Sequence, residues 1–154
     1  MDRSKRSLEI FFIEDELIDD FVTTLDLFKE KNLQVENTYT INGFQTTNIL
    51  ELDSTKELSD RLTKHINKNL ELFHIHLIDY NSNGQQDTHD HKETEDFSFI
   101  LYLNDSDGNT VFEDFGEVDP KKGKLVLFKS DIKHYGKPTF TNKKVAVGAL
   151  KSID

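Results

Sequence analysis

Thr88-His89-Asp90-His91-Lys92-Glu93-Thr94-Glu95-Asp96-Phe97-Ser98-Phe99-Ile100-Leu101-Tyr102-Leu103-Asn104 is the stretch on which the fold turns. Its second part, Phe97 to Asn104, is the strongest strand signal in the chain, free of Gly and Pro and rich in aromatic and aliphatic residues. Alternation places Ser98, Ile100, Tyr102 and Asn104 on one face, read as the inward one. Its first part sets two histidines two residues apart. On an extended segment such residues point to the same side, so His89 and His91 can converge on one ion. Imidazole suits Fe, Zn, Cu and Ni alike, and the spacing alone does not choose among them.

Outward from this stretch, residues 72 to the C-terminus read as short β-rich runs broken by turn clusters. These are Asn81-Ser82-Asn83-Gly84, Asp105-Ser106-Asp107-Gly108, Asp119-Pro120-Lys121-Lys122-Gly123 and Gly136-Lys137-Pro138. Strands at this spacing indicate a sandwich or small barrel. The first half mixes helices with strands. Residues 8–13 (LEIFFI) read as a strand. Leu17, Phe21, Leu25 and Phe28 fall at helical spacing, with Ile18 and Val22 widening the stripe. Residues 44–52 (FQTTNILEL) read as another strand. A second helix is predicted from Ser54, where Ser54-Thr55-Lys56-Glu57 fits a capping box, with Leu58, Leu62, Ile66 and Leu70 on its buried face. The expectation is an α+β, mainly β fold, its two N-terminal helices covering one sheet. One domain spans 1–154: a helix-rich support over 1–71 and a β-core over 72–154 that carries the metal site.

With 154 residues the chain can bury one sizeable core, and twelve Phe and four Tyr supply much of its bulk. A net charge of −10 repels phosphate backbones and anionic membranes, which argues against a nucleic-acid partner. Lys121, Lys122 and Lys124 flank a Pro-Lys-Lys-Gly turn and read as a solvated hairpin tip. The chain has no cysteine, which excludes disulfides, thiolate nucleophiles and Cys-based zinc sites. The run Leu8–Ile13 is too short for a signal peptide, and nothing reaches the length of a membrane span, so a cytoplasmic protein is expected.

The six histidines carry the remaining information. His65 lies beside the apolar stripe of the second helix and reads as a helix residue rather than a ligand. His74 and His76 share one strand face and read as core-edge or pocket-wall residues. His134 follows a β-run, Lys124–Lys129, and the Ser130-Asp131 turn, a strand end at which a side chain can face the mouth of a barrel.

In five blocks from Tyr80 onward the chain resembles the Fe(II)- and 2-oxoglutarate-dependent oxygenases, in their small prolyl-hydroxylase-like phage and bacterial branch. Asn81–Gly84 leading to His89-Asp90-His91 looks like that family's turn and first ligand motif. Phe97–Asn104 looks like its "fSfilYLN" strand. Gly108-Asn109-Thr110-Val111-Phe112 is similar to its G-G-x-T-x-F turn, with Asn109 replacing one glycine. Asp119–Phe128 looks like its "v-x-P-k-x-G-x-l-v-l-F" strand, and His134-Tyr135-Gly136-Lys137-Pro138 like the "H-x-g-x-P" that carries the distal ligand.

The resemblance implies a double-stranded β-helix (a jelly-roll, cupin-like barrel) holding one Fe(II) and binding 2-oxoglutarate as cosubstrate. A peptide or small-molecule C–H bond would be the target of hydroxylation. It implies His89, His91 and His134 as metal ligands. The family places Asp or Glu where His91 stands, and Asp90 and Glu93 are the acidic substitutes nearby. It further implies a cation nine or ten residues past the distal histidine for the far carboxylate of 2-oxoglutarate. Lys143 and Lys144 both lie in reach. Lys144 is expected inward beside the small Ala146, Lys143 is expected in solvent, and Tyr102 is expected at the same carboxylate. Two other readings stay open: a non-catalytic metal- or ligand-binding jelly-roll in a structural role such as a viral component, and a three-His dioxygenase that uses no 2-oxoglutarate.

Overall fold

The computed structural model describes residues 8–35, 40–66, 70–89 and 96–153, with the backbone alone at 40, 41 and 86–89. The chain runs β1 (Leu8–Phe12), α1 (Asp15–Glu30), β2 (Thr40–Gln45), α2 (Asp53–Ile66), β3 (Leu70–His89), β4 (Phe97–Tyr102), β5 (Thr110–Phe112), β6 (Gly116–Val118), β7 (Lys124–Lys129), β8 (His134–Gly136) and β9 (Lys143–Ser152). All strand pairs among the described residues are antiparallel, in the order β1-β7-β4-β9-β3-β8-β5-β6, with β2 added to β3.

The long strand β3 makes this order possible. Its first part, Leu70–Tyr80, pairs with β9, and its last part pairs with β8 through Gln86 and His89. Between them, Asn83 takes a positive φ of 68° and the β2–β3 register slips, Gly43 facing Tyr80 but Ile41 facing Gln85. The Asn81–Gly84 cluster is therefore a bulged corner within one strand. On either side of it the one strand pairs with different neighbours, β9 before and β8 after.

Alternation sorts the sheet into two faces. Leu70, Leu72, Ile75, Leu77, Phe99, Leu101, Leu125, Leu127, Ala146 and Leu150 meet the helices through Leu17, Ile18, Phe21, Leu25, Leu58 and Leu62 in one core. Each Leu, Ile or Phe among them, fully buried, contributes about 1.5–3 kcal/mol. Ile78, Tyr80, Ile100, Tyr102, Phe112, Val126, Phe128 and Val145 form a second core on the opposite, inner face. The helices cover one sheet face as expected. In α1 the acidic Asp15 and Glu16 suit the N-terminal dipole. Asn32, at φ 56°, closes the other end, with Leu33 N–H donating to Phe28 O and Asn32 N–H to Lys29 O.

Three expectations need correction. The strand predicted over 44–52 stops at Gln45, apart from an isolated bridge at Thr46. Asn48 Oδ1 accepts from both Leu50 N–H and Ile75 N–H, and this side-chain turn replaces strand pairing. Helix α2 begins at Asp53, one residue before the predicted start, and Thr55 Oγ1 donates instead to Ile49 O. Leu70 is buried as predicted but stands on β3, not on the helix.

Candidate active site

The inner face holds the chemistry. His134 opens the short strand β8 and is 4% exposed. Its Nδ1–H donates to the carbonyl of Ile132 at 3.1 Å, and a carbonyl can only accept, so in the neutral ring the proton is on Nδ1 and the lone pair on Nε2. The ring packs against Phe128 (centroids 4.8 Å) and Phe112 (5.7 Å). An imidazole whose far nitrogen is tied to a backbone carbonyl and whose Nε2 is the acceptor has the form of an oriented metal ligand. His89 and His134 are register partners across the β3–β8 ladder. The oriented imidazole of His134 is a donor of the kind a ferrous ion takes. His91, together with Asp90 and Glu93, lies outside the described residues.

A small pocket opens on the same face, lined by Tyr80, Ile100, Thr110, Gly136, Lys143, Val145 and Val147. Lys143 is 4% exposed and donates from Nζ to Gly108 O at 2.6 Å. Its ammonium lies 5.3 Å from the ring centre of Tyr80 and 6.0 Å from that of Tyr102. Burial pushes its pKa down to about 8, opposed by the charge of Asp107. Tyr102 is fully buried, donates its hydroxyl to Thr110 Oγ1 at 2.7 Å, and is pushed well above the usual phenol range by desolvation.

This reverses the expected placement of the two lysines. Lys143, Val145 and Val147 point into the pocket, whereas Ala146 belongs to the helix-facing core and Lys144 shares its side of β9. Lys144 is partly exposed and is held through its backbone, its N–H donating to Asn104 Oδ1 and its carbonyl accepting from Leu103 N–H. The small residue at 146 accommodates helix packing. Tyr102 lies on the inner face as expected. Tyr80 and Thr110, which the motifs did not single out, also line the pocket, Tyr80 beside Ile78 on the inner face of β3 and Thr110 two residues from Phe112 on β5.

The other histidines are placed as read. His65 stacks on Phe11 at 3.8 Å and pairs with Glu9 at 2.9 Å. His76 and His74 are half-buried with ring centres 5.6 Å apart. His76 Nδ1–H donates to Thr46 O, and desolvation holds its pKa below the usual imidazole value.

Residues 62–150, more than half of the chain, match the family model described as "2OG-Fe(II) oxygenase superfamily". The chain belongs to this superfamily. It is accordingly an Fe(II)- and 2-oxoglutarate-dependent oxygenase. No curated protein sequence matches it. Among solved structures, a prolyl-4-hydroxylase from Pseudomonas putida superposes with a TM-score of 0.78 at 16% identity, over 99% of this chain and 96% of that one. The viral collagen prolyl hydroxylase of Paramecium Bursaria Chlorella virus-1, solved with 2-oxoglutarate, gives 0.72 at 16% identity over 95% and 96%. A Trichoplax adhaerens prolyl hydroxylase, in complex with a peptide fragment of the hypoxia inducible factor oxygen degradation domain, gives 0.73 at 14% identity over 97% and 86%. The oxygenase has the fold of these enzymes. Among the described residues no helix is long and apolar enough to cross a membrane.

Proposed function

We propose that this oxygenase hydroxylates a C–H bond of a peptide substrate, with Fe(II) held by His89, His91 and His134 at the mouth of a double-stranded β-helix barrel. Lys143, in place of Lys144, receives the far carboxylate of 2-oxoglutarate, and Tyr102 lines that end of the site. The observation that carries the cosubstrate assignment is the state of Lys143. It is a buried ammonium with a carbonyl and two aromatic faces as neighbours, and among the described residues no carboxylate lies within ion-pairing distance. A buried cation is costly without an anion beside it. A dicarboxylic acid in the pocket supplies one.

His89 and His134 support the metal assignment because register partners in an antiparallel ladder share a face of the sheet. The bound iron supplies the oxidative chemistry, together with 2-oxoglutarate and O₂. The protein's own residues do the positioning. The Ile132 carbonyl holds the His134 ring and its tautomer, Phe112 and Phe128 keep water from that ring, and Lys143 anchors the cosubstrate. A peptide substrate is supported by the likeness to three prolyl hydroxylases, one of them solved with a peptide.

Two measurements test this. Iron binding under anaerobic conditions should be lost in His134→Ala, weakened in His91→Ala and retained in His91→Asp. Wild-type binding by His91→Ala would remove His91 from the ligand set. Proline-containing peptides incubated with Fe(II), 2-oxoglutarate and O₂ should gain one oxygen by mass spectrometry. Succinate formation that no such peptide stimulates would refute the peptide reading.

A further inference from the structure

Asp107 sits in the β4–β5 connection, outside the pocket, yet one of its oxygens gathers four donors from the β8–β9 connection. Oδ1 accepts from Thr139 Oγ1 at 2.6 Å, from Phe140 N–H at 3.0 Å, and from both the N–H and the Oγ1 of Thr141 at 3.2 Å. These bonds hold the carboxyl down to about 2, the Thr139 hydroxyl contributing most. Two loops distant in sequence are thereby tied together, with Ser106 bonding Thr139 and Thr141 beside it. The next residue, Gly108, presents its carbonyl to Lys143 Nζ. The junction is tight, because a Cβ on Gly108 would lie 2.9 Å from Thr139 Cβ and 3.0 Å from Lys137 O.

We propose that Asp107 is a positioning residue for the cosubstrate: by tying the β8–β9 loop to its own, it fixes the Gly108 carbonyl that aims the Lys143 ammonium into the pocket. This rests on Lys143 being the cosubstrate cation. A lysine side chain has four rotatable bonds, and the donor it offers a ligand is preorganised only if something holds its head. The Gly108 carbonyl is that hold, and its place depends on the Asp107 knot. The carboxylate acts in the same direction electrostatically, since its negative charge opposes the loss of the Lys143 proton that burial favours. Asp107 is itself exposed and does not line the pocket, so it acts through Lys143 and not by touching the ligand.

The test is a double-mutant cycle on 2-oxoglutarate affinity, measured calorimetrically on the full chain loaded anaerobically with Fe(II), with iron affinity measured separately. Asp107→Ala should weaken 2-oxoglutarate by about tenfold, the scale of one lost hydrogen bond, and leave iron affinity unchanged. Asp107→Asn, which keeps an oxygen acceptor, should lose less than Asp107→Ala. In the Lys143→Ala background, Asp107→Ala should cost nothing further. A merely structural role would add its full effect there, and that result would overturn the inference. So would an Asp107→Ala protein that binds 2-oxoglutarate as wild type does while Lys143→Ala does not. If Lys143→Ala binds normally, the cosubstrate assignment itself fails and this inference falls with it.

Discussion

Replacing Lys143 with Ala and, separately, Lys144 with Ala distinguishes the two faces of β9 in a single experiment. Lys143 is buried at the end of the pocket, so its removal would leave the far carboxylate of 2-oxoglutarate desolvated and unpaired. Breaking a buried ion pair from one side costs about 3–5 kcal/mol. At about 1.4 kcal/mol per decade, even the lower figure weakens 2-oxoglutarate more than 100-fold. Lys144 makes its contacts with Asn104 and Leu103 through the backbone, and these survive truncation of the side chain. Its variant should bind within about twofold of wild type, as surface substitutions usually do. The assay is anaerobic titration of the Fe(II)-loaded protein with 2-oxoglutarate, followed by the visible absorbance of the chelate or by heat. A second arm varies pH. The free lysine titrates near 8, and a bound carboxylate favours its charged form. Affinity should therefore be flat below pH 8 and fall above it, by up to about tenfold per pH unit. Stability of the ligand-free protein should move the opposite way. Burial lowers the folded pKa from 10.5 to about 8, so the unfolded chain holds more protons across that window and stability rises with pH through it. The difference corresponds to about 3 kcal/mol, read as the change in the wild type–Lys143→Met stability gap between pH 8 and pH 10.5. Loss of binding in Lys144→Ala with retention in Lys143→Ala would refute the assignment and the face alternation behind it.

Three further outcomes follow from the packing. Lys29→Met should destabilise the fold by about 3 kcal/mol in urea, because Asp79 is 2% exposed and would lose the ammonium at 2.7 Å, keeping Asn142 as its one side-chain donor among the described residues. Gly123→Ala should cost about 1–2 kcal/mol by thermal melt, since the residue holds φ +87° and a new Cβ would meet Ile13 O at 2.8 Å. Thr110→Val should cost about 1–3 kcal/mol, leaving the buried Tyr102 hydroxyl without its acceptor, and Tyr102→Phe in the same background should recover part of that loss.

Most of the architecture was legible because the helices and central strands carry strong periodicity. Leu17, Phe21 and Leu25 on α1, and Leu58 and Leu62 on α2, are buried where their spacing put them. The errors fall where local polar chemistry overrode an apolar pattern. Residues 44–52 hold Phe44, Ile49, Leu50 and Leu52 and read as a strand, but the Asn48 side chain serves two backbone amides and bends the chain. Asn81–Gly84 reads as a turn between strands because Asn and Gly favour turns; here the same chemistry makes a bulge inside β3, and no sequence rule separates the two.

The misplacement of the two lysines has a different origin. Alternation fixes which residues of a strand share a face but does not say which face is which. On a half-solvated strand the polar residues mark the outside. β9 offers no such mark: Val145, Ala146, Ala149 and Leu150 are all buried, because helices cover one side and the inner core the other. With both faces apolar, the small Ala146 was the remaining cue, and a small residue suits a crowded helix contact as well as a ligand pocket. The partner strand removes the ambiguity. Lys143 is in register with Tyr80 and Val145 with Ile78, both on the inner face, while Ala146 is in register with Leu77 on the helix-facing side. A cross-strand neighbour is information that only pairing supplies. A buried lysine, which a sequence-only reading rightly treats as improbable, becomes the natural occupant of position 143 once a carboxylate ligand is placed beside it.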